Sequence, residues 1–196
     1  LYQDGVSPTS VLVWRYVLAL LMFLVWMVIK HESFRIRIGT AIRLCVLGTL
    51  MAMSSATLYT SFKHMDAGVA STILFSYPII TAVLMTVFFH ERITWRTTLS
   101  ILMAVTGIGL LYRGGGDAAL SATGVTLVLL SSLLYAFYII GVNQTHSGLS
   151  AIQFTFWVVL FGMISLLVLA LITGESVQIL ANTEQWACAA QLALLP

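Results

Sequence analysis

Charge is scarce in this sequence. Lys, Arg, Asp and Glu make up 8% of its 196 residues, nine cations against seven anions. A water-soluble domain carries about 25%. Charges this sparse cannot cover a globule that faces water, which excludes a soluble cytosolic enzyme. The net charge of +2 lacks the basic excess that a nucleic-acid partner demands. Cysteine is scarce too. Cys45 and Cys188 each lie in or near an apolar stretch and are too few for a disulfide framework or a zinc site. What abounds is apolar: 60% of the residues are hydrophobic and the mean hydropathy is +1.01. The medium implied is a lipid bilayer.

A helix needs roughly 20 apolar residues to cross about 30 Å of hydrocarbon. Ser10–Ile29 supplies 20, interrupted only by Arg15. Leu44–Phe62 supplies 19 without a formal charge, and Ala67–Phe89 supplies 23. Thr97–Tyr112 has 16, which Trp95, Arg96 and Arg113 extend by sitting at the interfaces. Ala118–Gly174 is uncharged over 57 residues, too long for one helix. The polar run from Asn143 to Gly148 divides it into spans at about Ser121–Val142 and Ala151–Thr173. A seventh apolar run opens near Trp186 and is cut at Pro196. Membrane strands would alternate, and these runs do not. The expected fold is an all-α polytopic membrane protein with six full transmembrane helices and a truncated seventh. Beginning at Leu1 and stopping inside an apolar run, the chain reads as a fragment.

Loop charge orients the spans. Lys30, Arg35, Arg37 and Arg43 crowd the loop after the first span, and Arg92 and Arg96 lie two loops later. The opposite loops hold only Lys63 and Arg113. Positive loops stay cytoplasmic. The expectation is therefore Lys30–Arg43 inside, with Leu1–Thr9 and Gly114–Asp117 outside.

The chain also resembles itself. Shifted by 143 residues, Gly5-Val6-Ser7 falls on Gly148-Leu149-Ser150, Trp14 on Trp157, Leu24 on Leu167, Val25 on Val168 and Ile29 on Ile172. Five spans separate the copies, and an odd number inverts the second. Inverted repeats are a hallmark of secondary transporters.

A longer pattern carries a resemblance to a known family. LYTSFKHMDAGVASTILFSYPIITAVLMTVFFHERITWRTTLSILMAVTGIGLLY includes a small-residue start at Ala67-Gly68-Val69-Ala70, the mid-span Pro78, Glu91-Arg92 and the Gly107/Gly109 pair. It resembles the third to fifth helices of an EamA domain of the drug/metabolite transporter superfamily. VLVWRYVLALLMF, with its early Arg15, resembles the second helix. The resemblance implies ten helices in two inverted five-helix repeats. Residues 1–113 would form the first repeat, lacking its first helix. Residues 114–120 would be the inter-repeat loop, and 121–196 the second repeat, truncated after the start of its third helix.

Few polar residues lie inside the spans. Arg15 is either an anchor that snorkels about 7.5 Å to the headgroups or a cavity residue, since a charge at depth costs about 2.5–3.5 kcal/mol. Gly48, Ala52, Ser55, Tyr59 and Lys63 follow helical spacing. The small residues suit close helix contact, while Tyr59 and Lys63 are either an interfacial belt or part of a solute path. Ser76, Tyr77 and Pro78 lie mid-span. Proline leaves the Leu74 carbonyl without its helical donor, and in a bilayer a neighbour, a side chain or water must satisfy it. Such a kink either packs helices or opens a cavity. Ser131, Tyr135 and Tyr138 form another polar stripe, closed by Asn143. Buried tyrosine hydroxyls need partners, supplied by a neighbouring helix or a solute. Thr97, Ser100, Ala104 and Gly107 read as a packing stripe, and Glu91 as a structural anchor beside Arg92. His31, His64, His90 and His146 map to loops or helix ends with no metal-ligand spacing.

The function implied is a secondary transporter in the cytoplasmic membrane, exporting amino acids or related small metabolites. No nucleotide-binding motif is visible, so no cofactor is expected and energy would come from a proton or solute gradient. An intramembrane enzyme is disfavoured by the lack of Gly-x-Ser-x-Gly, His-Glu-x-x-His or paired aspartates within spans. A non-transporting scaffold or partner subunit is the other alternative. Solute identity and oligomeric state are not written in the sequence.

Overall fold

A computed structural model describes residues 8–90, 95, 98, 99, 102, 103, 106, 107, 121–145 and 148–174. Among them there is no strand, and the helices described from end to end are α1 Pro8–Ile29, α2 Ile38–Ser61, α3 Ala67–Leu74, α4 Tyr77–Phe89, α5 Ala122–Gln144 and α6 Ala151–Thr173; residues 95, 98, 99, 102, 103, 106 and 107 are helical as well. Among the described residues five stretches are long and apolar enough to cross a bilayer, with α3 and α4 together forming one. Most of the expected span at 97–112, and all of the run from Trp186, lie outside the described residues.

Polar residues set the helix ends. At the close of α1, His31 N–H donates to Val28 O and Glu32 N–H to Met27 O, at 3.2 and 3.0 Å. This is a Schellman turn. Its left-handed position, φ 52°, is held by His31 where glycine is usual. Asp66 opens α3 by accepting from Gly68 N at 2.8 Å and Val69 N at 3.4 Å. Ser150 opens α6 in a reciprocal capping box with Gln153. Ala151, where α6 begins, stands 143 positions after Pro8, where α1 begins. The two helices therefore start in the register of the sequence repeat.

Two boundaries differ from the sequence expectation. α2 begins at Ile38, six residues before Leu44. The exposed Arg43 therefore lies within a helix that continues past the apolar run. A charge ends the hydrocarbon stretch but not the helix, because the backbone bonds do not depend on it. The Ala67–Phe89 span is two helices rather than one kinked helix.

The chain divides into two compact units. One holds α1, α6 and α2 up to Ala56; the other holds the end of α2 from Thr57 with α3, α4 and α5. In the first, α1 packs on α6. Val11, Leu12, Tyr16 and Met27 are buried from α1, and Phe156, Val158, Val159, Leu166 and Ala170 from α6. Two glycines permit the close approach. A Cβ on Gly48 would fall 2.6 Å from Val158 O and 2.8 Å from Gly162 N. One on Gly162 would fall 2.8 Å from Tyr16 Cε1 and 3.2 Å from Gly48 O. One turn on, the hydroxyls of Thr49 and Ser165 meet at 2.8 Å. Small residues and interhelical hydroxyl bonds hold helices together where lipid removes the hydrophobic drive.

In the second unit α5 packs on both α3 and α4. Ala70, Val128 and Ala136 are fully buried. Gly124 leaves space for the His64-Met65 turn, since a Cβ there would fall 2.8 Å from Met65 Cε. In both units the outward side chains are large and apolar, with Leu171 83% and Val87 60% exposed. Water would make such faces an aggregation hazard, whereas acyl chains solvate them.

Candidate functional site

Pro78 organises the polar centre of the second unit. It stands in the first turn of α4, where a missing N–H is harmless to its own helix. The effect falls one turn back. The Leu74 carbonyl would have bonded the N–H of residue 78, and the pyrrolidine ring crowds the same carbonyl. The chain breaks there. Phe75 leaves the helix at φ −61° and ψ 1°. Ser76 N–H turns to Ile73 O at 2.9 Å, and Ile79 N–H to Ser76 O at 3.0 Å, both tighter bonds than the α pattern.

The freed carbonyl is met by a side chain. Ser132 Oγ on α5 lies 3.3 Å from Leu74 O and 2.9 Å from Val128 O. One hydroxyl proton serves both, and the shorter contact takes the larger share. Leu74 O therefore keeps acceptor capacity. Nearby in the chain, Ser76 Oγ is buried with no hydrogen-bond partner among the described residues.

Three tyrosines stand beside the break. The Tyr77 and Tyr135 rings meet edge to face at 4.8 Å, and Tyr135 and Tyr138 lie 5.6 Å apart. The sequence expectation put Tyr77 and the Tyr135/Tyr138 stripe in separate groups; the packing of α4 on α5 joins them. Each ring offers an apolar body with an electron-rich face, suited to an aromatic or cationic group. Leu74 O, Ser76 Oγ and the rings together combine acceptors with π faces in an otherwise apolar span.

The other expected site residues are more scattered. Tyr59 is buried near the end of α2, its ring 5.3 Å from Phe62. Lys63 lies past the end of that helix. α2 ends at Ser61, Lys63 N–H closes a turn onto Thr60 O at 3.1 Å, and the side chain is exposed. The helical spacing that linked the pair stops two residues short of Lys63. Asn143 is exposed in the last turn of α5, and Ser131 is fully buried in that helix. Arg15 and Ser55 are half-buried in the first unit. Cys45 is an exposed free thiol. Among the described residues no cluster of His, Cys, Asp and Glu has the makings of a metal site. Glu91, Arg92, His146 and Cys188 lie outside the described residues, as does most of the Thr97–Gly107 stripe.

Sequence reasoning missed Ser132. Helical spacing points instead to its neighbour Ser131, four residues from Tyr135, and adjacency of two serines does not reveal which one faces the break. Gly162 was missed as well, because its close contacts are with Tyr16 and Gly48 on other helices, which spacing within its own helix does not reveal.

The sequence profile of the EamA-like transporter family matches residues 1–113 and 122–196. The chain belongs to this family. EamA membership places it in the drug/metabolite transporter superfamily and makes it a multi-pass membrane protein. It is similar to the uncharacterized transporter sll1319 of Synechocystis sp., 28% identical over 131 residues, which is 65% of this chain and 39% of that protein. The uncharacterized transporter YyaM of Bacillus subtilis is 25% identical over 183 residues, 88% of this chain and 59% of its own length. YdfC of the same organism, also an uncharacterized transporter, is 26% identical over 98 residues, 48% of this chain and 32% of that protein. The chain thus spans 32–59% of the length of these relatives.

Proposed function

We propose that this chain is part of a secondary transporter that exports small metabolites, such as amino acids or related compounds, across the cytoplasmic membrane. Its two repeats would be oppositely oriented and its energy drawn from a proton or solute gradient. The observation that carries the reading is the helix broken ahead of Pro78. In a membrane, irregular backbone is tolerated where it is buried in protein or lines a cavity, and transporters place solute at such breaks. The acceptors Leu74 O and Ser76 Oγ would take an ammonium or hydroxyl group, and Tyr77, Tyr135 and Tyr138 would pack on its apolar body. Tyr59 would line the route, with Lys63 and Asn143 at its two mouths. Family membership supports transport as the class. The common start register of α1 and α6, and their packing on each other, support an internal two-fold relation between repeats.

The test is flux. Purified protein in liposomes should move an amino acid or similar metabolite down its gradient without ATP. Absence of flux across broad solute pools, from well-folded protein, would favour a scaffold or partner subunit.

A further inference from the structure

One face of α1 carries an open apolar groove. It is shallow and lined by Leu21, Met22, Val25, Trp26, Ile29 and Lys30. These positions recur at helical spacing and form one face. From residue 21 to residue 30 the helix rises about 13.5 Å, close to half of the ~30 Å hydrocarbon core. The groove therefore runs through about the depth of one leaflet and ends at an ammonium group. Trp26, one turn before Lys30, is the residue type that settles at a membrane–water interface.

The loop beyond is basic and held in place. Lys30, Arg35 and Arg37 are all exposed, against a half-buried Glu32, and Arg43 is exposed in the second turn of α2. Gln153 Nε2 donates to Ser33 O at 2.9 Å, Arg35 N–H to Ser33 Oγ at 3.2 Å, and the Phe34 ring sits 5.9 Å from Phe156. A loop fixed in this way presents its cations with little ordering still to be done on binding.

We propose that this groove binds an anionic phospholipid of the leaflet the loop faces. One acyl chain lies along Leu21, Val25 and Ile29, and the phosphate meets Lys30 and Arg35. An apolar face alone would accept any lipid. The commitment to an anionic one comes from the charge at its end, because a zwitterionic headgroup brings its own cation toward four others. The site does not depend on solute transport.

Thermal unfolding of the purified protein tests this in two vesicle compositions: phosphatidylcholine alone, and phosphatidylcholine with phosphatidylglycerol at about three lipids in ten. Phosphatidylglycerol should raise Tm by about 2–4 °C. Lys30→Gln with Arg35→Gln should remove at least half of that shift. Arg37 and Arg43 are kept so that the charge bias orienting α1 survives. With the unaltered protein, salt at about 0.5 M should shrink the shift as well. Equal Tm in both compositions overturns the proposal. So does a shift that persists in full in the double variant or at high salt.

Discussion

At the scale of single residues, one hydroxyl stands between the Leu74 carbonyl and an apolar surround. A buried carbonyl with no partner costs about 1–3 kcal/mol, while hydroxyl bonds between membrane helices average about 0.6 kcal/mol. Ser132 meets Leu74 O at 3.3 Å while also bonding Val128 O at 2.9 Å, so its contribution belongs in the lower part of this range. Ser132→Ala should therefore cost about 1 kcal/mol. For a chain of this length that lowers Tm by roughly 2–4 °C. An unchanged Tm would mean that water already satisfies the carbonyl. How far this centre could be read in advance follows from the residues. Pro78 announces a carbonyl in need, because its missing N–H is a fact of covalent structure. Ser132 announces nothing, because which of two adjacent serines faces the break depends on the rotation of α5. The meeting of Tyr77 with Tyr135 likewise depends on helix pairing across 58 residues, which local spacing does not encode.

At the scale of elements, α2 carries its own control. Gly39 and Gly48 lie in the same helix, but a Cβ on Gly39 meets nothing within 4 Å, whereas one on Gly48 meets the backbone of α6. Backbone cannot move aside as a flexible side chain can. Gly39→Ala should stabilise by up to about 1 kcal/mol through helix propensity. Gly48→Ala should destabilise by about 1–3 kcal/mol, because the helices must part. Denaturation in detergent checks both, and equal effects at the two sites would refute the close approach of α2 and α6. The extent of most helices was legible because bilayer thickness sets it. The α2 start was not, because Arg43 marks where hydrocarbon ends and not where hydrogen bonding does. The α3/α4 break was legible as a perturbation at Pro78, though not as two separate helices. That outcome depends on Phe75 and Ser76 adopting tight turns that propensity does not demand.

For the whole molecule, the proposed orientation rests on the basic loop at Lys30–Arg43. In a background lacking Cys45 and Cys188, Ser33→Cys should be labelled from the cytoplasmic side and His64→Cys from the opposite side. α2 alone lies between them, so labelling of both from one side would end the orientation and the inverted relation drawn from it. The central claim is that the break before Pro78 serves solute movement and is not merely a packing feature. Solute counterflow in liposomes, measured side by side for the unaltered protein and Pro78→Ala, tests it most directly. Alanine returns the N–H that Leu74 O lacks and removes the ring that crowds it, so α3 and α4 should join, with folded stability held or raised. The account predicts ATP-independent counterflow by the unaltered protein and its loss, by tenfold or so, in the equally stable variant, equivalent to about 1.4 kcal/mol at the barrier. Full counterflow through a Pro78→Ala protein of unchanged stability would contradict it.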